Sequence, residues 1–229
     1  MGILENVQDL RRQIDEAARQ SGRTGADITL VAATKTQTVE AVRGAVLAGV
    51  DACGENRVQE LTEKNSAGAY EGAPIHFIGH LQKNKVRKVV GLASLIQSVD
   101  SIELLQAIDR IAAEQEIVQE VLLQVNIGDD ANKFGIHAND VDTLLDQIEA
   151  LSSIQVRGLM TILPILSKSS EIRALYAQMH QVYVDIRRKS YHNIRMDFLS
   201  MGMSGDFREA ILEGANMIRV GSTIFGNRT

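Results

Sequence analysis

The chain has 229 residues, of which 45% are hydrophobic and 23% are charged, and its formal net charge at pH 7 is -5. This length suits one large hydrophobic core, and no low-complexity or Pro-rich stretch marks a linker, so we expect a single domain over residues 1–229. The acidic balance, without basic residues interleaved with aromatic ones, argues against a nucleic-acid-binding protein. Cys53 is the sole cysteine, which excludes an internal disulfide and a metal site built from several cysteines.

The first residues of the sequence carry no recognisable targeting signal. No basic region followed by an apolar core is present, and Asn6 stands where a myristoylation signal requires Ser or Thr. No apolar run approaches the length that spans a membrane. We therefore expect a cytoplasmic protein with no membrane partner.

Short apolar runs alternate with amphipathic segments along the chain. An amphipathic helix is predicted at residues 3–20, and the helical spacing of Val39, Val42 and Val46 is typical of the later segments. The apolar runs predict eight strands, near residues 28–34, 51–54, 75–79, 94–98, 119–126, 154–160, 196–199 and 216–220. Eight βα units predict a single (β/α)8 TIM barrel of α/β class with an extra N-terminal helix, and a doubly wound open sheet is the alternative.

Lys35 directly follows the first predicted strand, whose apolar run covers residues 28–34. Active sites of barrels lie at the carboxyl ends of the strands. An amine enclosed there would lose its proton more easily and could attack an aldehyde to form a Schiff base. The position therefore predicts a nucleophilic lysine.

Two loops near the end of the sequence are suited to hold a phosphate. Ser200–Ser204 follows the seventh predicted strand and Arg219–Ser222 the eighth, and both offer glycines, hydroxyls and backbone N–H donors. Barrels often bind phosphate with these two loops. An amine that captures aldehydes, together with a phosphate site, is what pyridoxal 5'-phosphate (PLP) requires.

Each of these features also has a simpler explanation. Lys35 could form a surface ion pair, Ser204 could cap a helix, and Arg219 could pair with a buried carboxylate. His76 and His80 have the spacing of metal ligands on a helix, but His76 lies on a predicted strand and no acidic third ligand follows. We therefore expect no metal site.

Six ordered segments also carry a family resemblance. They are Val31–Thr36, Gly54–Glu60, His76–Lys85, Gly158–Thr161, Leu199–Ser204 and Arg219–Gly226. With these segments the chain resembles the pyridoxal 5'-phosphate homeostasis proteins, a family similar to the N-terminal barrel domain of alanine racemase. The resemblance covers nearly the whole chain and implies PLP as the cofactor.

The resemblance also implies roles for ten residues. Lys35 would form the internal aldimine, and Arg219 would hydrogen-bond the pyridine nitrogen. Asn56 and His76 would line the faces and edge of the cofactor, with apolar contact from Ile78 or Met201. The phosphate would be held by Ser200, Ser204, Gly221 and Ser222.

Two functions from different classes follow from this site. Because Arg219 is cationic, a pyridine nitrogen beside it should stay unprotonated, which weakens the ring as an electron sink and suits either a racemase or a protein that only holds the cofactor. Alanine racemase takes its second base from a tyrosine in a separate C-terminal domain, whereas this sequence ends at Thr229. No tyrosine lies at a predicted strand end; the four are Tyr70, Tyr176, Tyr183 and Tyr191.

We therefore expect a protein that holds PLP as a lysine aldimine and takes part in intracellular PLP (vitamin B6) homeostasis and delivery, without catalytic turnover. Apo PLP-dependent enzymes are the expected partners, and the expected state is a monomer. A PLP-dependent amino-acid racemase is the alternative. A lysine-dependent aldolase, with the same barrel and phosphate site but no cofactor, is a third possibility.

Overall fold

The computed structural model describes residues 2–130, 133–166 and 168–226. Eight parallel strands pair in chain order, and β9 pairs with β1, so the sheet closes into a barrel. A two-residue strand, β6, pairs with β5 outside this ring. The strands are β1 Thr29–Ala33, β2 Ala52–Glu55, β3 Ile75–Phe77, β4 Leu95–Val99, β5 Gln119–Asn126, β6 Ile136–His137, β7 Ile154–Met160, β8 Ile194–Ser200 and β9 Met217–Val220.

Helices surround the barrel. They are α1 Ile3–Gln20, α2 Val39–Leu47, α3 Val58–Ser66, α4 Ile102–Glu114, α5 Val141–Ile148, α6 Ser169–Arg187, α7 Phe207–Leu212 and α8 Ser222–Phe225. Three short 3-10 helices cover Gly25–Asp27, Lys83–Lys88 and Ala138–Asp140, and the second of these stands between β3 and β4. The predicted TIM barrel with an extra N-terminal helix is confirmed, and the open-sheet alternative is wrong because β1 and β9 are hydrogen-bonded neighbours.

The apolar runs form barrel strands because both of their faces are buried. Leu30 and Ala32 point towards the helices and belong to the main core, whereas Val31 points into the barrel. The interior cluster consists of Val31, Ala52, Leu95, Leu122, Met160 and Met217. Gln97 and Arg219 lie two residues after Leu95 and Met217 on the same strands, so they point inward as well. A polar layer therefore lies nearer to the carboxyl ends of the strands.

Helix α1 joins the first and last parts of the barrel. Its buried face has the spacing of an amphipathic helix, with Val7, Leu10 and Ile14 in the core, and it packs against α2, α7 and α8. Asn6 donates from its side-chain nitrogen to the carbonyl oxygen of Ile224 at 2.8 Å. Helix α1 therefore supports segments from both ends of the chain. The loops next to these segments carry the predicted site.

Gly158 of β7 lies where the register between β7 and β8 shifts. Its φ is +147°, and an added Cβ would come 1.8 Å from the carbonyl oxygen of Phe198. We expect Gly158→Ala to lower the free energy of unfolding by about 3 kcal/mol or more in a urea titration. Gly205→Ala is the control, since nothing lies within 4 Å of its added Cβ. Equal stability of the two variants would contradict the prediction.

Candidate functional site

The carboxyl ends of β1, β8 and β9 surround a cavity of about 520 Å³. Five of the ten residues singled out in the sequence line it, although they come from opposite ends of the chain. They are Lys35, Ser204, Arg219, Gly221 and Ser222. The other lining residues are Ala33, Gln37, Met203, Gly205 and Gly226. The lining therefore contains two basic side chains and no acidic one, which suits an anionic ligand.

Lys35 lies in a turn beyond the end of β1. The strand ends at Ala33, and Gln37 closes the turn with an N–H donated to the carbonyl oxygen of Thr34 at 3.1 Å. Thr36 adopts the left-handed conformation, with a φ of 64°. The turn carries Lys35 outward, so its side chain is exposed and the enclosure expected from the sequence was wrong. Lys35 therefore belongs to the solvent-exposed part of the cavity lining.

Arg219 points into the barrel and is 4% exposed. Its guanidinium donates from Nη1 to Ser200 Oγ at 2.6 Å and from Nη2 to the carbonyl oxygen of Thr161 at 2.8 Å. Burial lowers the pKa of this guanidinium to about 10, with Tyr176 and Asp206 opposing the effect. It remains charged at neutral pH.

The partners of Arg219 are neutral oxygens. Within the described part of the chain, no carboxylate forms an ion pair with it, so the explanation that it balances a buried carboxylate is wrong. A buried cation without an anionic partner is costly unless a ligand or several hydrogen bonds compensate for the lost hydration. Its position in the cavity wall therefore points to a ligand acceptor group.

A chain of buried side chains orients Arg219 from within the barrel. Ser200 is fully buried and donates its hydroxyl to Gln97 Oε1 at 2.7 Å, so its oxygen is left to accept from Arg219. Gln97 Nε2 lies 2.9 Å from His76 Nδ1. Because an amide nitrogen only donates, Nδ1 accepts and the proton of the neutral imidazole resides on Nε2. In the series His76, Gln97, Ser200 and Arg219, the donor and the acceptor of each hydrogen bond are thus defined.

The neutral state of His76 gives the protein a pH-dependent stability. Burial lowers the pKa of His76 from 6.5 to about 4. Between these values the unfolded chain binds a proton that the folded chain does not, so folded-state stability falls as the pH falls below 6.5. We expect a loss of about 2 kcal/mol through this residue between about pH 7 and about pH 5. Urea titrations at both pH values should show that the free energy of unfolding depends less on pH in His76→Gln than in the wild type. An equal pH dependence in the two proteins would contradict this assignment.

The loops after β8 and β9 contribute hydroxyl and backbone donors to the cavity. The N–H of Gly221 donates to Ser204 Oγ at 3.3 Å, while the hydrogen of that hydroxyl has no acceptor among the described contacts. Asp206 fixes the shape of the first loop: it accepts from the N–H of Met203 at 2.6 Å and from the hydroxyl of Tyr176 at 2.8 Å. The wall formed by Ser204, Gly221 and exposed Ser222 is therefore rich in donors, as a phosphate requires.

The remaining predicted residues lie outside the lining of this cavity. Ser200 and His76 belong to the buried chain behind Arg219, and Ile78 is 6% exposed, with its side chain close to Gly54. Met201 is fully buried in the main core, while Met203 lines the cavity instead. The predicted contacts of these residues with a cofactor remain predictions.

Asn56 follows β2, as predicted, and lines a second cavity of about 460 Å³. Basic residues share this second cavity: Arg57, Lys85 and Lys88, with His80 beside them. The ring of His80 stacks on Phe134 with centroids 3.8 Å apart. The predicted contact of Asn56 with the cofactor likewise remains a prediction.

The tyrosines have partners away from the main cavity. Tyr70 donates to Glu55, Tyr176 to Asp206, and Tyr191 to Asp146. Tyr183 donates to the carbonyl oxygen of Met196. The cavity lining accordingly contains none of the four.

The described residues contain neither a cluster suited to a metal ion nor a helix suited to a membrane. No group of three or more His, Cys, Asp and Glu side chains there could hold a metal ion. None of the helices in the described ranges is long and apolar enough to cross a membrane.

Comparison with known proteins gives a consistent picture. The family model described as "Alanine racemase, N-terminal domain" matches residues 6–229. A pyridoxal phosphate homeostasis protein of Aquifex aeolicus is 35% identical over 228 residues, covering 100% of this chain and 99% of that protein. One from Synechocystis sp. is 39% identical over 202 residues, covering 88% of this chain and 92% of the relative.

Solved structures agree in fold. PipY of Synechococcus elongatus with PLP bound matches with a TM-score of 0.85 at 34% identity, covering 98% of this chain and 100% of that one. Alanine racemase of Clostridium difficile matches with a TM-score of 0.72 at 18% identity, covering 98% of this chain and 60% of the racemase, which shows a shared fold.

The barrel, its cavity and the matched family model define a protein of the alanine racemase N-terminal-domain class. At the level of identity found over nearly the full length of the relatives, the chain belongs to the family of pyridoxal phosphate homeostasis proteins.

Proposed function

We propose that this protein holds PLP in the main cavity through an imine with Lys35, and that it takes part in intracellular PLP homeostasis and delivery without catalytic turnover. One observation carries the proposal: an exposed lysine, a buried arginine without a carboxylate partner and a wall of hydroxyl and N–H donors converge on one cavity of about 520 Å³. These groups match the aldehyde, the ring nitrogen and the phosphate of PLP. A relative, PipY of Synechococcus elongatus, has a structure with PLP bound.

Each part of the cavity would act on a different part of the cofactor. The Lys35 amine would condense with the aldehyde, forming a C=N bond and releasing one water molecule. Arg219 would donate to the ring nitrogen and, by its charge, keep that nitrogen unprotonated. Ser204 and Ser222 would donate their hydroxyls to the phosphate, the Gly221 N–H would hold Ser204 Oγ in place beside it, and Ser200 would support Arg219 from behind. When bound, the cofactor supplies a reactive imine and a ring that accepts electrons.

The exposure of Lys35 favours a carrier over an enzyme. An exposed imine can be reached by water or by the amine of a recipient protein, which permits release and transfer, whereas PLP enzymes benefit from excluding water from the reacting centre. The ionisable side chains that line the cavity are Lys35 and Arg219. A two-base racemase would need a further acid or base opposite the lysine. We therefore infer a carrier, and we extend the proposal to a cytoplasmic monomer whose partners are apo PLP-dependent enzymes.

An absorbance spectrum of the protein incubated with PLP tests this proposal, followed by borohydride reduction and peptide mass mapping. A visible imine band and a reduced pyridoxyl group on Lys35 are expected. Transfer of the bound PLP to an apo-enzyme, measured by recovered activity of that enzyme, is expected to follow. A protein that stays colourless and unlabelled would overturn the proposal and favour the aldolase, and conversion of L-alanine to D-alanine would establish the racemase instead.

A further inference from the structure

A buried polar cluster lies directly behind the Lys35 turn. Glu55, at the end of β2, is fully buried, and its Oε1 accepts from Thr34 Oγ1 at 2.6 Å, Lys64 Nζ at 2.6 Å and the Tyr70 hydroxyl at 3.0 Å. Lys64 is 7% exposed. None of these groups lines the main cavity, so the cluster has no direct contact with a ligand there.

The cluster holds the peptide groups on both sides of Lys35. Lys64 Nζ donates to the carbonyl oxygen of Thr34 at 2.7 Å, and Glu60 Oε2 accepts from the N–H of Thr36 at 2.6 Å. The same ammonium joins the two carboxylates, since it lies 3.2 Å from Glu60 Oε2 as well as next to Glu55. Lys35 therefore projects from a turn that is fixed immediately before and immediately after it.

The conformation held in this way is an unfavourable one. Thr36 has a φ of 64°, which a β-branched residue rarely adopts because its Cβ crowds the backbone. The Glu55 Oε2 oxygen is buried without a hydrogen-bond partner. Stability alone does not explain a strained threonine beside a buried, partly unsatisfied ion pair, since apolar residues would serve that purpose at least as well.

We propose that Glu60 and the buried Lys64–Glu55 pair are positioning residues for Lys35, holding its turn in the left-handed conformation that presents the amine to the cavity. The inference rests on the proposed function of Lys35 and adds the device that keeps it ready to react. Without Glu60, the N–H of Thr36 loses its acceptor and the turn relaxes to a more common conformation. The lysine then spends less of its time facing the aldehyde.

Glu60→Ala is the primary test, because Glu60 is partly exposed and its loss should leave the fold intact. The rate at which PLP labels Lys35, followed by the imine absorbance and verified by borohydride mapping, is expected to fall about tenfold, with an unchanged thermal midpoint of the cofactor-free protein. Pyridoxal, which lacks the phosphate, should show the same fold-change, since the effect concerns the lysine. Glu63→Ala is the matched control, because Glu63 lies on the same helix and its carboxylate accepts from Gln59 Nε2 in the preceding turn.

Rescue by Thr36→Gly separates positioning from a general structural effect. Glycine adopts a φ near 64° without strain, so Glu60→Ala/Thr36→Gly is expected to recover most of the wild-type labelling rate. Glu55→Gln/Lys64→Met, which removes both buried charges together, should behave like Glu60→Ala and should also be rescued. A wild-type labelling rate in Glu60→Ala, or a slow rate that Thr36→Gly does not restore, would overturn the inference. A wild-type protein that is never labelled would instead refute the proposed function.

Discussion

Lys35→Met is expected to abolish the visible imine band and to reduce pyridoxyl labelling after borohydride treatment to background. The turn beyond β1 places this amine at the rim of the cavity that also contains Arg219 and the donors of the last two loops. Methionine keeps most of the length of the side chain but has no nucleophilic nitrogen. The free energy of unfolding of the cofactor-free protein should change little, because the side chain is exposed.

Lys88→Met provides the matched control for this experiment. Lys88 is also exposed and lies in the basic run of the 3-10 helix between β3 and β4, which lines the second cavity rather than the first. Its replacement should leave the band and the labelled peptide unchanged. If Lys35→Met still forms the band and carries the label on another lysine, the assignment of the covalent site to Lys35 is wrong.

The barrel could be predicted because its pattern is local. Each strand is a short apolar run, and each intervening segment has a helical spacing, so eight repeats of the unit are visible without any long-range information. The meeting of Lys35 with Ser204 and Ser222 followed from the same repeats, since carboxyl ends of barrel strands share one face. The two-residue strand β6 was missed because so short an element carries little periodic signal.

The series of hydrogen-bonded side chains behind Arg219 could not be predicted, because its hydrogen bonds join residues that are far apart in the sequence. Gln97 and Ser200 are separated by 103 residues, and no pattern in the sequence pairs them. A signal did exist, since Gln97 is a polar residue within the apolar strand β4. The sequence also did not determine which methionine of the loop after β8 faces the cavity. Side chains in a turn, unlike those in a strand, do not alternate regularly between two faces. Met203 lines the cavity, whereas Met201 is buried in the main core.

The exposure of Lys35 also depended on geometry that the sequence does not show. The expected enclosure of Lys35 assumed that the extended backbone continues up to it, whereas β1 stops at Ala33 and the left-handed Thr36 redirects the chain. The site is thus divided into a buried half, built from β8 and β9, and an accessible half formed by the turn. Such a division is in keeping with the proposed role of binding a cofactor and releasing it.

Arg219→Met is expected to separate cofactor binding from stability. Arg219 is buried with two neutral hydrogen-bond partners, and burial lowers its pKa from 12.5 to about 10, so the charge is held at a cost of about 3 kcal/mol. Methionine removes this cost but leaves Ser200 and the Thr161 carbonyl without a donor, a loss of about 1–3 kcal/mol for each unsatisfied group. The opposing changes are of similar size, and we expect the cofactor-free variant to lie within about 2 kcal/mol of the wild type.

The affinity for PLP should fall much further than the stability. A charge-assisted hydrogen bond contributes about 1.5–3 kcal/mol, so we expect a roughly 10- to 150-fold weaker equilibrium affinity in Arg219→Met, measured by titration of the imine absorbance. Arg208→Met is the control, since Arg208 is exposed and donates to Gln13 on α1, away from the cavity. Urea unfolding without PLP provides the second measurement. Unchanged affinity would mean that Arg219 does not contact the cofactor. A large loss of stability with a proportionate loss of binding would mean that its role is to hold the barrel together. Weakened binding by a variant that keeps its fold is the result that supports a hydrogen bond from Arg219 to the cofactor.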